Sequence, residues 1–454
     1  MIISIFLFYL TWFVLIGNSV YVQQGSPLVG TGNSGVFSGQ GSAVAVSANG
    51  NTTMVGGALD GGSIGAVWSF IETSNGHWSQ LGPKVIGSNY IGPVVSQGYA
   101  VAVSANGNTA LIGGYQDNHG LGAAWVFVRN STGWSQQGSK LVGTGYIGTN
   151  VFQGFSVALS ADGNTALIGG SGDNSSIGAA WVFVRDSSQQ WSQQGAKLVG
   201  TNYTGNLTPR QGTSVALSGD GNTAAIGGTD DDDYHGSVWI FVRGVSGTWA
   251  QQGPKLSGSD SVGVYVYQGS SVALSYDGST LITGGSQDDD YIGASWVFVR
   301  TSSNNWIQQG PKLIGSGYSG AKVSQGTSVG LSADGNTALV GGPRDNNKIG
   351  ASWIFVRNVS GLWSQYGTKL VGSGGNNNGG SGISQGSSVA LSADGTTAVV
   401  GGDTNDNQVG ATWIFVENGQ SNPAPTPPPS SDSVAVGLNN LIAAGFIVIF
   451  GSIL

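Results

Sequence analysis

The sequence predicts an all-β fold: a seven-bladed β-propeller of four-stranded antiparallel blades, closed by an N-terminal strand that completes the last blade. Three observations lead there. A strand–turn–strand unit recurs seven times, a Trp-x-Phe strand recurs seven times, and a third landmark recurs six times in step with them and once displaced to the beginning of the chain. Composition agrees, because glycine supplies 80 of 454 residues, charged residues only 8 % and aromatics 9 %, the profile of many short strands joined by tight turns.

The first landmark is typified by Ser156 to Gly170, and its copies begin near Ser42, Tyr99, Phe155, Thr213, Ser270, Thr327 and Ser387. Each turns on Asn-Gly or Asp-Gly, as at Asn49-Gly50, Asp162-Gly163 and Asp394-Gly395. Such pairs are expected to supply the positive φ angles of a two-residue hairpin, leaving the Asp a conformational role. The second landmark carries Trp68, Trp125, Trp181, Trp239, Trp296, Trp353 and Trp413, expected to pack between blades. The third, typified by Trp191-Ser192-Gln193-Gln194-Gly195-Ala196-Lys197-Leu198, has tryptophans at 78, 134, 191, 249, 306 and 363. In the unit starting near Phe155, strands are expected at Ser156 to Ser160, Thr165 to Gly169, Ala179 to Arg185 and Trp191 to Val199.

The seventh copy of the third landmark is Tyr21-Val22-Gln23-Gln24-Gly25-Ser26-Pro27-Leu28, ahead of every other landmark. A linear solenoid needs capping repeats but no displaced strand. A ring does, because the N-terminal strand must complete the last blade, and closure removes open sheet edges.

These units resemble the FG-GAP repeat family, known from integrin α chains and other surface proteins. The likeness spans Tyr21 to Asn418 and rests on Gln153-Gly154-Phe155-Ser156-Val157-Ala158, Ala166-Leu167-Ile168-Gly169-Gly170, Gly178-Ala179-Ala180-Trp181-Val182-Phe183 and Trp191-Ser192-Gln193-Gln194. The resemblance implies a seven-bladed propeller, extracellular placement and a role in adhesion or ligand binding. One departure stands out: the first hairpin of integrin-type repeats often carries several carboxylates and binds calcium, whereas each turn here has at most one. Calcium takes six to eight oxygen ligands, so no metal is expected in these hairpins.

The ends give an address. Residues 1–19 read as a signal peptide, apolar from Met1 to Ile16 with small residues at Gly17 and Ser19, although no Lys or Arg precedes the apolar run. The propeller is expected over 20–418, a Pro/Ser-rich stalk over 419–433 and a hydrophobic tail over 434–454. Small residues, a spacer and an apolar tail with no basic flank form the order of a glycosylphosphatidylinositol (GPI) anchor signal, with a single transmembrane helix as the alternative. Sequons at Asn51, Asn130, Asn174, Asn202, Asn206 and Asn358 fit a glycoprotein at the cell surface.

Composition also excludes classes. The 15 basic residues form no run, so nucleic acid is not an expected partner; the absence of cysteine removes disulfides, thiolate metal sites and cysteine nucleophiles. No cofactor or metal is expected, since His77, His119 and His235 lack metal-ligand spacing. A sialidase-like enzyme would need an Asp-box one residue longer than Ser160 to Thr165 and an arginine cluster that is not evident. Only Glu72 and Glu417 occur, both at a periodic position, so catalysis is not expected.

Most charged residues are periodic too. Arg129, Arg185, Arg243, Arg300 and Arg357 follow the third-strand Trp, and Lys84, Lys140, Lys197, Lys255, Lys312 and Lys369 recur on the fourth strand, where they read as solvated strand ends or weak rim ion pairs. A ring of carboxylates follows Gly-Gly at Asp60, Asp117, Asp173, Asp231, Asp288, Asp345 and, shifted by one, Asp406; turn capping is the plain explanation. Once periodic residues are set aside, two loop families expected on one face hold the rest: the loops after Gly-Gly, and those joining each fourth strand to the next blade. The candidate ligand patch is Asp231, Asp232, Tyr234, Asp288, Asp289, Tyr291, Lys322, Arg344 and Lys348, over the fourth to sixth blades, with Arg210, Tyr203, Tyr265, Tyr267 and Tyr318 nearby. Carboxylates beside tyrosines suit a carbohydrate or a divalent ion bridging to one, and the adjoining basic loop suits an acidic partner.

The sequence therefore points to a monomeric, membrane-anchored extracellular module that binds a protein or carbohydrate. The alternatives are a structural coat component and, behind it, a glycan-processing enzyme. Phosphatidylinositol-specific phospholipase C is expected to release the protein from intact cells; retention after treatment would indicate a transmembrane tail instead.

Overall fold

In the computed structural model, which describes residues 21–73, 76–130, 133–378 and 380–418, seven four-stranded antiparallel sheets form a closed propeller. The blades are numbered by their first strands, Ala43–Val46, Ala100–Val103, Ser156–Leu159, Ser214–Leu217, Gln268–Leu274, Ser328–Leu331 and Ser388–Leu391. Each first strand contacts those of its two neighbours, so together they surround the axis. Blade 3 continues through Thr165–Gly170, Ala179–Arg185 and Trp191–Gln193. Its fourth strand is shorter than expected, because pairing stops at Gln193 and resumes only as a Leu198 to Ala180 bridge. The expected signal peptide, the stalk beyond Asn418 and the tail lie outside the described residues, among which no helix is long and apolar enough to cross a membrane.

Ring closure follows the displaced landmark. Tyr21, Val22 and Gln23 pair with Glu417, Val416 and Phe415 as the fourth strand of blade 7, and Leu28 bridges to Thr412. The buried Tyr21 hydroxyl donates to the Gly395 carbonyl; burial first, then the charge of Glu417, holds this phenol far above its ordinary pKa.

The third-strand tryptophans are fully buried and join blade to blade. Trp181 Nε1 donates to the Thr144 carbonyl of the preceding blade's exit loop at 2.8 Å. Its indole lies so close to Gly143 that a Cβ there would overlap the ring, and the same Gly–Trp contact recurs at Gly30, Gly87, Gly200, Gly258, Gly315 and Gly372. A buried glutamine completes the latch: Gln153 Oε1 accepts the Gly143 N–H at 2.6 Å and its Nε2 donates to the Gly143 carbonyl at 3.0 Å. A buried amide needs both partners, and here one glycine backbone supplies them. Truncating such a Trp to Ala removes about 3–5 kcal/mol.

The first hairpins depart from the two-residue turn. Gly163 alone takes the positive φ, 71°, while Asp162 does not. The Gly163 N–H closes onto the Ser160 carbonyl and the Ser160 N–H reaches Thr165, so Ala161 to Asn164 form a longer loop. Asp162 accepts from the Ser160 hydroxyl and the Asn164 N–H. Burial alone would raise its pKa, but those bonds and the charge of Arg185 hold the carboxyl below the usual range. The longer loop frees the backbone of Ala161 for an intermolecular-like role between blades. N–H groups of Ala48, Ala105, Ala161, Gly219, Tyr276, Ala333 and Ala393 each donate to the carbonyl of the next residue in that order, and Ala393 donates back to Ala48, at 2.8–3.0 Å. This head-to-tail cycle encircles the axis on the face opposite the candidate patch.

The periodic arginines are not solvated ends. Arg185 lies 5.4 Å from the Trp191 ring centroid and donates to Gln137 of the preceding blade, and Arg243 and Arg357 repeat the arrangement on Trp249 and Trp363. Removal of residues 21–28 is expected to leave Ala411–Glu417 as an open edge, with association visible by analytical ultracentrifugation. A stable monomer of unchanged melting temperature would contradict the closure.

Candidate functional site

The connection from second to third strand is built the same way in every blade, as one turn of left-handed backbone. In blade 4, Asp232, Asp233 and Tyr234 have φ of 53°, 53° and 77°, and in blade 5 Asp289, Asp290 and Tyr291 have 49°, 52° and 74°. Left-handed backbone costs roughly 1–2 kcal/mol per residue for most side chains and less for Gly, Asn and Asp, so a turn that ends on Tyr234 or Tyr291 needs an anchor.

The Asp ring is that anchor. Asp60, Asp117, Asp173, Asp231, Asp288 and Asp345 precede the left-handed residues and are all but completely buried. Asp231 accepts the Thr204 N–H at 2.8 Å on one oxygen; on the other it takes Lys255 Nζ at 2.5 Å and the Ser237 hydroxyl at 2.6 Å. Its own carbonyl receives the Gly236 N–H, which closes the turn. Asp288 likewise holds the Val262 N–H at 2.7 Å and Lys312 at 2.5 Å. Lys84, Lys140, Lys197 and Lys369 pair in the same way with Asp60, Asp117, Asp173 and Asp345. These lysines are therefore largely buried partners of buried carboxylates, not solvated strand ends.

Blade 7 shows what the pair is worth to the turn. The residue at the anchor position is Asn405, whose Oδ1 accepts the Asn376 N–H at 2.6 Å; Asp406 is instead the first left-handed residue. The closing strand places Pro27 where other blades have Lys. Both charges are lost together, as expected if a buried carboxylate without its ammonium is too costly.

The candidate patch divides accordingly. Asp231 and Asp288 lie beneath the surface as anchors, so their carboxylates are committed to the fold. Asp232 and Asp289 are exposed. Tyr234 packs 5.5 Å from Tyr265 and 5.3 Å from Tyr267. Tyr291 lies under two cations, Lys322 Nζ at 4.4 Å from its centroid and the Arg344 guanidinium at 5.8 Å. Burial, then the charge of Asp230, pushes the Tyr267 phenol up. Lys348 is exposed at the end of the blade 6 turn, and Arg210 faces Asp230 at 3.9 Å. Tyr203 and Tyr318 are exposed without a ring contact to this cluster among the described residues.

Two features escape the sequence. Tyr99, Tyr115, Phe152 and Phe155 form a second aromatic cluster, with Tyr99 at 4.6 Å from Tyr115 and 4.9 Å from Phe155. Burial, then Tyr115, pushes the Tyr99 phenol up to about 12. The residue before each buried Gln is also left-handed, with φ of 55–62° at Gly39, Ser96, Phe152, Arg210, Tyr267, Ser324 and Ser384. Gly and Ser at that position in the other blades were the available signal. Of the sequons, Asn202, Asn206 and Asn358 are exposed and Asn51 and Asn174 half-buried; that of Asn130 runs into residues outside the described set. Among the described residues no three His, Asp or Glu side chains converge as a metal-ligand group.

No protein-family model matches the chain, and no curated protein does. Among solved structures it is similar to the hydrazine synthase of Kuenenia stuttgartiensis, 13 % identical, with 85 % of this chain and 98 % of that chain covered and a TM-score of 0.50. The likeness is one of fold. The catalysis of that enzyme does not carry over at such identity.

A double-mutant cycle tests the anchor. Lys255→Met alone is expected to cost about 3 kcal/mol by leaving Asp231 buried without its cation. Asp231→Asn with Lys255→Met should cost clearly less than the two single changes added, as blade 7 already manages with Asn405. Additive losses in chemical denaturation would show that the pair is not coupled.

Proposed function

We propose that this chain is an extracellular, membrane-anchored propeller of the FG-GAP type that acts as an adhesion or ligand-binding module and not as an enzyme. The observation that carries this reading is the distribution of side chains that the fold does not use. The buried Trp, Gln, Asp and Lys series are consumed by blade-to-blade contacts and turn anchors. What remains variable includes an aromatic cluster at blades 2 and 3 and, over blades 4 to 6, tyrosines together with unpaired cations, in loops held by a rigid frame, the usual position for recognition. Tyrosines with two torsions and a polar tip suit such a surface, since little side-chain freedom is lost on binding.

The absence of an acid–base constellation in that patch favours binding over catalysis. Burial raises the Asp403 carboxyl, which lies in the blade 7 loop away from the tyrosines. The seven-fold uniformity of the frame would also serve a coat component without a ligand, and the gathering of tyrosines with unpaired cations over blades 4 to 6 is what argues against it.

Whole-cell adhesion and binding to an immobilised oligosaccharide panel should both fall at least about tenfold when Tyr234, Tyr267 and Asp289 are changed together to Ala, Ala and Asn. Val359→Asp, at an exposed tip of the opposite face, should leave them unchanged. Loss on the Val359 change with retention on the triple change would move the site to the other face.

A further inference from the structure

Every basic side chain but three is occupied by the fold. Six lysines pair with the buried aspartates. The five periodic arginines each hydrogen-bond to the frame, as Arg129 does to Asn108 and Arg300 to the Asp277 carbonyl, and Arg210 faces Asp230. Lys322, Arg344 and Lys348 remain. Among the described residues no carboxylate lies within 4.0 Å of any of them, although the chain carries a net charge of −8. All three lie at blade 6 and the loop leading into it, and two of them share one ring, Tyr291.

Side-chain bulk at a strained backbone position is found here too. At the last left-handed position of the turn, blades 1 to 3 carry Ser63, Gly120 and Ser176, whereas blades 4 to 7 carry Tyr234, Tyr291, Lys348 and Gln408, with φ of 77°, 74°, 69° and 68°. Bulky residues are rarely held at positive φ, and where they are the strain tends to serve a site. Tyr267, at φ 60°, adds a second such tyrosine beside Tyr234.

Resting on the binding reading above, we propose that the ligand is an acidic carbohydrate, with a sugar carboxylate held by Lys322, Arg344 and Lys348 and the sugar ring laid against Tyr234, Tyr267 and Tyr291. The guanidinium offers a two-pronged donor set for a carboxylate, and the lysines add point charge. Tyrosine faces meet the C–H faces of a sugar, and their hydroxyls reach its oxygens. The neighbouring acids narrow the class. Asp289 and Asp290 are exposed on the turn that ends in Tyr291, so the patch is near electrical balance and disfavours a densely charged polyanion. A uronate or sialate unit, with one carboxylate among several hydroxyls, satisfies both: the cations take the carboxylate and the aspartates accept sugar hydroxyls.

The test is calorimetry on the intact protein with four probes, sialyllactose against lactose and tetragalacturonate against its methyl ester, and with heparin as a polyanion. The acidic member of a pair should bind about tenfold more tightly than its neutral counterpart. The triple change Lys322→Met, Arg344→Gln and Lys348→Met should abolish that preference and leave neutral binding in place. Each of the three is exposed, and an unchanged melting temperature verifies the fold. Equal binding of acidic and neutral probes, both lost in the Tyr234→Ala, Tyr267→Ala variant, would overturn the acidic ligand and keep the binding site. A preference that survives the triple change, tighter binding to heparin than to the sugars, or binding to none of the probes would each overturn the proposal. In the last case the adhesion assay alone decides whether the face is a binding surface.

Discussion

A ring of blades must satisfy its own seam, and nearly everything else in this molecule depends on that constraint. Each blade hands backbone hydrogen bonds to the next at the axis, through the cycle running from Ala48 to Ala393 and back. An open chain would leave one N–H at one end of that cycle and one carbonyl at the other without their partners, and backbone polar groups tolerate this poorly away from water. The closing strand is therefore more than a fourth strand for blade 7; it holds the last blade against the first so that the cycle has no ends. The seam residues are adjusted to one another. Where Trp191, Trp249, Trp306 and Trp363 each donate to a Gln of the preceding blade, the closing strand sets Tyr21 against Tyr366 at 6.4 Å, and the Tyr366 hydroxyl donates to Glu417. Glu72 accepts from Gln24, and Pro27 with Asn405 replaces a Lys–Asp pair by two neutral residues.

The frame was largely legible because its signals are local or strictly periodic. Tryptophans at a fixed spacing, glycines in turns and a strand out of place are one-dimensional facts, and together they define the blade count and its closure. The Asp–Lys pairs were visible as two series but not as partners. They stand 23 or 24 residues apart in every blade that has them, on different elements, and only the sheet register brings them together. A clue was present, since the blade without the lysine is also the blade without the anchoring aspartate. The hairpin turns misled for a different reason. Asp-Gly also sits at the centre of a four-residue loop whose Gly takes the positive φ, and what favours it here is a Ser–Asp–Asn hydrogen-bond set and an inter-blade bond on Ala161.

The candidate site was legible in location more than in chemistry. Subtracting periodic residues leads to tyrosines and cations that the fold does place against one another, as Lys322 and Arg344 over Tyr291, yet it leaves Asp231 and Asp288 inside the patch, because exposure is not written in spacing. Once those carboxylates are seen to anchor left-handed turns, the balance of the surface shifts from acidic toward mixed. The aromatic cluster around Tyr99 and Phe155 was absorbed into the repeat by the same reasoning, although Tyr99 and Phe155 stand where the other five blades have Ser or Thr.

A scaffold that spends its charge and its indoles on closure can vary a few loops freely, provided the ring behaves as one body. Hydrogen exchange of the folded protein, read at the amides of Ala48, Ala105, Ala161, Gly219, Tyr276, Ala333 and Ala393, tests this most directly. A closed cycle predicts that all seven are protected alike and exchange only on global unfolding. Faster exchange at Ala48 and Ala393 alone would mean that the ring opens at its seam and that the frame is not the rigid body on which this account depends.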